Sequence, residues 1–335
     1  MNNIYLYPNN TEANAISQNP YINDLKNSLN NHFNVVNQKK SKIGIFNILN
    51  YITKIDFIYL NWIEEIQFRK FGVLQAIFFL FLIPIFKIFK IKIIWTIHNK
   101  KAHIINTSQI NNFLIKIMMK HSDFIISHSK DGANYINLFN NREISNIKVF
   151  PHPVKKNDIL RNDNLKKNDI LIWGSILEYK GILEFIIEFN KRKELADRKV
   201  KIIGKIADIN YKKKLLDNIT PKIELIDEFI ENEDLINQII SSKHIIFPYK
   251  VESVLSSGSL AFSIPFFVNI IGPNIGSFKD LEEDELITTY NDFDHLFEII
   301  NNDQSRINIA LLQNYLDENS WDKFSENLFN WIIKK

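Results

Sequence analysis

The 335-residue chain contains no cysteine. That one absence removes disulfides, thiolate metal ligands and cysteine nucleophiles together, and it fits a reducing compartment. Arginine is scarce: six of the 41 basic residues. Asparagine and isoleucine are abundant, which reads as the coding bias of an AT-rich genome rather than as chemistry. The net charge is only +3, so electrostatics make no case for nucleic acid as a partner. The opening MNNIYLYPNN lacks the basic segment leading into an apolar one that marks a secretory signal. Nor is there a long hydrophobic run. The most apolar segment, Val73 to Phe86, is shorter than the roughly 20 residues that span a bilayer, and Pro84 interrupts it. No internal repeat of fixed period is found.

What is present is material for two cores. Hydrophobic residues make up 45% of the chain, and single cores stop growing near about 250–300 residues. Apolar runs predict strands at Ile4–Leu6, Phe57–Leu60, Ile91–Ile97, Phe124–Ser127 and Ile147–Phe150. A second set follows at Ile170–Trp173, Lys201–Ile203, Ile223–Ile226, His244–Phe247 and Phe266–Ile270. These runs show no clear alternation, as expected of strands buried on both faces of a parallel sheet. Between them lie helical patterns. Ile182, Phe185, Ile186 and Phe189 fall on one face, and so do Leu235, Ile236, Ile239 and Ile240. The expected fold is therefore α/β, with two doubly wound domains facing a central cleft. The polar stretch near 151–168, KKNDILRNDNLKKND included, reads as a linker. Residues 1–153 form the expected acceptor-binding domain and 154–318 the nucleotide-binding domain. A helix in 319–335 is expected to pack back on the first domain. Val73–Ile94 reads either as a buried helix and strand or as a helix that also touches lipid, with Lys87, Lys90 and Lys92 at the headgroups.

In open α/β sheets, ligands lie beyond the carboxyl ends of the strands, so the residues after each strand are the candidates. Gly174 ends one strand, and Lys180 stands where the next helix opens, a place that favours an anion. Lys205 follows another strand. After Phe247 come Tyr249, Glu252 and the Ser257-Gly258-Ser259 turn, whose N–H groups and missing Cβ suit a phosphate. In the first half, His98, Asn99 and His103 follow a strand, and so do Trp62 and Glu64. No ligand set has metal spacing, so no metal is expected.

The stretches YPNN and NPYI (7–10, 19–22), LNW-I-E (60–64), WTIHNKKAH (95–103), HSDFIISHS (121–129) and VFPHPV (149–154) appear in order. GSILEYKGI (174–182) follows, and PYKVESVLSSGSLAFSIPFFVNIIGPNIGSFKDL comes after it. Together they resemble bacterial GT-B glycosyltransferases, specifically the family-4-like enzymes of capsular and exopolysaccharide assembly. The resemblance covers most of the chain. It implies that Gly174, Lys180 and Ser257–Ser259 hold the donor diphosphate, with Lys205 and Tyr249 on the nucleotide side. It places His98 against the transferred sugar. Tyr21, in an Asn-Pro-Tyr loop, would face the acceptor with Trp62, Glu64 and His103. Three departures stand out. Lys250 and Gly258 occupy the positions of two donor-loop glutamates, leaving Glu252 to supply that contact. Leu177 replaces an arginine. Lys243 or His244 replaces an aspartate.

The resemblance thus implies a metal-independent hexosyltransferase without a cofactor, since the UDP- or GDP-linked sugar is a substrate. The acceptor would be a lipid-linked saccharide. The protein would work in the cytoplasm, in peripheral contact with an anionic membrane, in surface polysaccharide synthesis. Glu64 or His98 would act as base for inversion, whereas the leaving phosphate would serve for retention. Two other functions remain open: a GT-B binding subunit that activates a partner, motivated by Leu177 and Lys250, and a nucleotide-sugar epimerase.

Overall fold

The computed structural model describes residues 1–9, 20–39, 41, 43–98, 109–139, 144–157, 168–250, 254–303 and 307–334. Asn99, His103 and Glu252, and linker residues 158–167, lie outside them. The described residues divide into two compact units. One holds the chain up to Pro153 together with Trp321 onward, and the other holds Val154–Ser320.

The first unit contains β1 (Asn3–Tyr7), α1 (Tyr21–Leu29), β2 (Asn34–Val35), β3 (Phe57–Asn61) and α2 (Gly72–Ile88). It continues with β4 (Lys92–Ile97), α3 (Gln109–His121), β5 (Phe124–Ser127), α4 (Lys130–Phe139) and β6 (Ile147–Val149). Its strands form one parallel sheet in the order β2-β1-β3-β4-β5-β6. One face is a core of Ile4, Leu6, Tyr59, Ile94 and Ile126, closed by α1 and by α12 (Trp321–Ile333). Phe324, Leu328 and Ile332 recur every four residues on α12, and all three are buried in that core. Burying each contributes about 1.5–3 kcal/mol.

The second unit contains β7 (Asn168–Trp173), α5 (Ile182–Lys191), β8 (Val200–Ile203), α6 (Ile209–Leu216), β9 (Ile223–Ile226) and α7 (Asn232–Ile240). After these come β10 (Ser242–Ile246), α8 (Gly258–Ser263), β11 (Asn269–Pro273), α9 (Gly276–Glu283), β12 (Thr288–Tyr290), α10 (Phe293–Asn302) and α11 (Ile309–Glu318). Its sheet is also parallel, ordered β12-β11-β10-β7-β8-β9. The face of α5 that periodicity predicts is the one that is buried: Ile182, Phe185, Ile186 and Phe189.

One expected strand is displaced. Phe266–Ile270 does not form a strand as a whole. Ile264–Phe266 is a 3-10 turn with Pro265 in it, and Phe267 takes φ +54°, so β11 starts only at Asn269. The proline's fixed φ suits the helical turn that continues α8, and its missing N–H could not join a strand ladder, so pairing begins only after Phe267. Strands β2 and β12, two and three residues long, are too short to show any periodicity.

Helix α2 is apolar nearly all round, yet only one side is covered. Gln75, Ala76, Phe79, Leu82, Ile83 and Phe86 are buried. Val73, Leu74, Ile77, Phe81 and Ile88 are all at least 48% exposed and form one stripe along the other side. Lys87 and Lys90 stand exposed at its carboxyl end. No helix among the described residues is long and apolar enough to cross a membrane.

Candidate functional site

In each sheet the chain winds first to one side and then to the other, and the crevice where it reverses is where open α/β sheets bind ligands. In the second unit the reversal lies between β10 and β7. The residues beyond those strand ends are Gly174 and the Pro248–Tyr249 segment.

Gly174 has φ +102°, a conformation that glycine alone adopts without strain. A Cβ placed on it would lie 3.0 Å from Ser259 Oγ and 3.1 Å from Lys180 Nζ. Three residues from two distant stretches therefore converge on one point. Lys180 follows from the 3-10 turn Glu178–Lys180 and is only 7% exposed. Its ammonium lies 5.7 Å from the centre of the Tyr249 ring, and among the described residues no carboxylate pairs with it. A buried cation without an anion is costly, and this position is one that an anion would suit. Tyr249 is held by its hydroxyl, 3.0 Å from Ser257 Oγ, and by stacking against Phe247 and Tyr179. Ser257 Oγ accepts the N–H of Leu260 at 3.2 Å and so caps α8. Gly258 is exposed, and a Cβ there would meet nothing within 4 Å. Internal packing therefore does not demand a glycine at 258.

Lys205 is engaged elsewhere. Its Nζ lies 3.4 Å from Asp227 Oδ1, and Lys212 Nζ lies 2.6 Å from Asp227 Oδ2. Lys250 Nζ pairs with Glu184 Oε1 at 2.8 Å.

In the first unit the reversal lies between β1 and β3. Asn61 ends β3 and Trp62 follows with φ +49°. The His98 ring stacks on Trp62, with centres 4.2 Å apart, and its Nε2 donates to Asn61 Oδ1 at 3.1 Å. Asn61 Nδ2 is buried without a partner among the described residues. Tyr21 meets Trp62, His98, His128, His152 and Trp321 edge to face. Tyr21 was expected in a loop. It is instead the first residue of α1 and is buried, because Pro20 occupies the helix N-cap. His128 Nδ1 must donate to the Phe150 carbonyl, 2.9 Å away. Its Nε2 is then an acceptor, and the Tyr21 hydroxyl donates a hydrogen bond to it at 2.8 Å. Burial pushes the His128 pKa down to about 3 and that of His152 to about 4. Both rings are therefore neutral at pH 7.

Glu64 is not brought to this cluster. Its Oε2 accepts the Trp95 indole N–H at 3.4 Å, and its Oε1 has no partner among the described residues. Trp95 and Thr96 are neighbours on β4 and so point to opposite faces. Thr96 Oγ1 bonds the Tyr59 hydroxyl at 2.9 Å on the α1 side, which leaves Glu64 on the other. Burial raises the Glu64 pKa to about 8, so its carboxyl carries its proton at pH 7.

Asn61, His128, His152 and Trp321 were given no role from the sequence. Three of them end a strand or follow one closely: Asn61 is the last residue of β3, just before the Trp62 and Glu64 already singled out, and extending the rule to β5 and β6 finds His128 and His152. Trp321 carries no such signal, because α12 joins this unit from beyond the other one.

Two parallel, doubly wound Rossmann-like units in one chain define the GT-B fold. Solved structures match it end to end. HepE of Anabaena in complex with UDP has a TM-score of 0.70 at 12% identity, covering 100% of both chains. A glycosyltransferase from Rickettsia africae has a TM-score of 0.65 at 14% identity, over 100% of this chain and 99% of its own. Sucrose-phosphate synthase from Thermosynechococcus elongatus has a TM-score of 0.63 at 12% identity, over 99% and 96%. No family model and no curated protein matches the sequence.

Proposed function

We propose that this chain is a glycosyltransferase that takes a sugar from a nucleotide-sugar donor bound in the second unit. The observation that carries the reading is the buried ammonium of Lys180, poised with Ser259 Oγ over Gly174 at the reversal point of the sheet. Glycosyl transfer leaves a nucleoside diphosphate, on which negative charge grows as the sugar departs. A cation already desolvated and fixed stabilises that charge more than one in water does. Ser257, Gly258 and Ser259 add hydroxyls and an unobstructed backbone beside it. HepE has been solved with UDP and with UDP-glucose, which supports UDP-sugars as the first donors to try.

The first unit is the acceptor side in this reading. Trp62 and Tyr21 offer ring faces and edges to a sugar, and the unpaired Asn61 Nδ2 offers a donor. Of the two candidate catalytic residues, His98 lies with these groups, whereas Glu64 is neutral and on the opposite face of the sheet. The acceptor is a lipid-linked saccharide of a surface polysaccharide, and the protein meets an anionic membrane through the exposed stripe of α2. An apolar stripe with lysines at its end suits an interfacial helix.

The test is thermal unfolding with a panel of UDP-, GDP- and other nucleotide sugars. A true donor at 100 times its Kd adds about 2.7 kcal/mol of stability. No stabilisation by any nucleotide sugar would sink the proposal. A second reading, a binding subunit without turnover, has one observation on its side: Lys250 is locked to Glu184 where the broader family carries a carboxylate. Donor binding without transfer or hydrolysis would mark it.

A further inference from the structure

The first unit holds a cavity of about 300 Å³ that the transferase reading leaves unused. It opens at the carboxyl end of β1, at the reversal point of the sheet, and Tyr7, Asn9, Arg69, Lys70 and Gln75 help to wall it. Its walls are pinned by Gln75, which is buried to 4%. Gln75 Oε1 accepts the Ile45 N–H at 2.9 Å and faces the Tyr7 hydroxyl at 3.4 Å. Its Nε2 donates to the Lys70 carbonyl at 2.7 Å. Gly44 has φ +58°, and a Cβ there would lie 2.1 Å from Gln75 Oε1, so this arrangement excludes any larger residue.

The chemistry of the cavity has three parts. The Arg69 guanidinium lies over the Tyr7 ring, 5.9 Å from its centre, and Lys70 stands exposed beside it. Helix α2, 17 residues long, begins here with no side-chain cap and no acidic residue in its first turn, so its free N–H groups add to the positive field. The second part is an orphan acceptor. Asn9 is 6% exposed, and its amide nitrogen donates to the carbonyls of Asn37 and Lys39. That fixes the orientation of the amide, and Asn9 Oδ1 is left buried with no partner among the described residues. Such a group calls for an explanation, and a ligand hydroxyl would supply one. The third part is an apolar rim. Ile43, Phe71 and Leu74 line the cavity and are 54%, 67% and 57% exposed. Phe71 holds φ +56°, a strained conformation for an aromatic residue. From Leu74 the exposed stripe of α2 runs on without a break.

We propose that this cavity seats the phosphate headgroup of a hydroxyl-bearing membrane amphiphile whose hydrocarbon lies along the exposed stripe of α2. Arg69 and Lys70 take the phosphate, as guanidinium and ammonium groups do. Asn9 Oδ1 accepts a headgroup hydroxyl. Phe71 and Leu74 lie where the polar and apolar parts of the lipid meet. The proposal rests on the membrane-facing reading of α2 and not on the transferase reading.

The probe is dihexanoyl phosphatidylglycerol below its micelle concentration, titrated calorimetrically into the whole chain. It should bind at least tenfold more tightly than glycerol phosphate, inorganic phosphate or dihexanoyl phosphatidylcholine. Arg69→Ala should lose tenfold or more, Arg69→Lys should recover part of it, and Lys120→Ala on α3 should bind like the wild type. Lys70→Ala, at an exposed side chain, serves if the melting curve of Arg69→Ala shows misfolding. Equal binding of glycerol phosphate would reduce the cavity to a bare anion site and overturn the proposal. Equal binding of phosphatidylcholine, or indifference to both Arg69 and Lys70, would do so as well. Vesicle sedimentation tells the two readings apart. If Arg69-dependent binding of the short-chain lipid occurs without sedimentation, the membrane contact fails and the cavity stands. If sedimentation occurs without any short-chain binding, the reverse holds.

Discussion

Each unit carries a six-stranded parallel sheet, but the two build opposite kinds of site on it. The second unit uses Gly174 and Lys180 from one short stretch and Tyr249 and Ser257–Ser259 from another, and sets a buried cation among hydroxyls and backbone. The first unit draws Tyr21, Asn61, Trp62, His98, His128 and His152 from separate elements and keeps His128 and His152 uncharged. The lesson is about separability. A site made of one lysine and a capped turn can lose a ligand group and keep its fold. A site made of interlocked rings is also core, so its ligand chemistry and its stability move together.

The largest effect expected from this contrast is in the core of the first unit. Leu328→Ala removes a fully buried side chain of α12 and should cost about 2–5 kcal/mol. Hydrogen exchange should report the loss in β1, β3, β4 and β5 while β7, β8 and β10 stay protected. Equal loss in both sheets would show that the two units unfold as one. Next come two changes that should behave as mirror images. Lys180→Ala should weaken nucleotide-sugar binding by about 1–3 kcal/mol with little change in melting temperature. Tyr21→Phe should cost about 1–3 kcal/mol of stability, because His128 Nε2 loses its buried donor, and should leave donor affinity alone. A Lys180→Ala protein that melts early, or a Tyr21→Phe protein that does not, breaks the comparison.

Acid and base sharpen it further. The folded protein holds the Glu64 proton up to about pH 8, whereas an unfolded chain releases it near its ordinary value of 4.5. Glu64 therefore costs stability increasingly as pH rises between those values, by up to about 1.4 kcal/mol per pH unit. Glu64→Gln should gain on the wild type across that window and match it near pH 4. His128 and His152 work the other way. The unfolded chain takes up their protons below about 6.5 and the folded one does not until about 3 and 4, so their contribution is lost as pH falls. Urea unfolding at pH 4, 6 and 8 separates the two signs. The smallest expected effect is none: transfer activity should survive EDTA. A loss restored by magnesium or manganese would show that Lys180 and the serine turn do not suffice for the diphosphate.

Most of the parallel strands were legible in the sequence as unbroken apolar runs, and the α5, α7 and α12 helices because each buries a face of regular period. In the second unit, Gly174 and Lys180 could be picked out because they follow β7 in sequence; that Ser259, far along the chain, meets them over Gly174 is what the structure adds. The fate of Lys205 was not legible, because Asp227 comes from the following strand. The separation of Glu64 from His98 was hidden too. It depends on which face of β4 each side chain reaches, and an uninterrupted apolar strand does not reveal that. Tyr21 was misplaced for want of a way to know that Pro20 caps a helix rather than prolongs a loop.

Helix α12 also makes the first unit discontinuous in the chain. The sheet face carrying Ile4, Leu6, Tyr59, Ile94 and Ile126 is made early, but Phe324, Leu328 and Ile332, which help to cover it, follow only after all of β7 to α11. Chains emerge at roughly 5–20 residues per second, so that face stays partly bare for many seconds on the ribosome. The second unit, contiguous among the described residues from Val154 to Ser320, is complete before α12 is made. The half synthesised first is thus the half completed last.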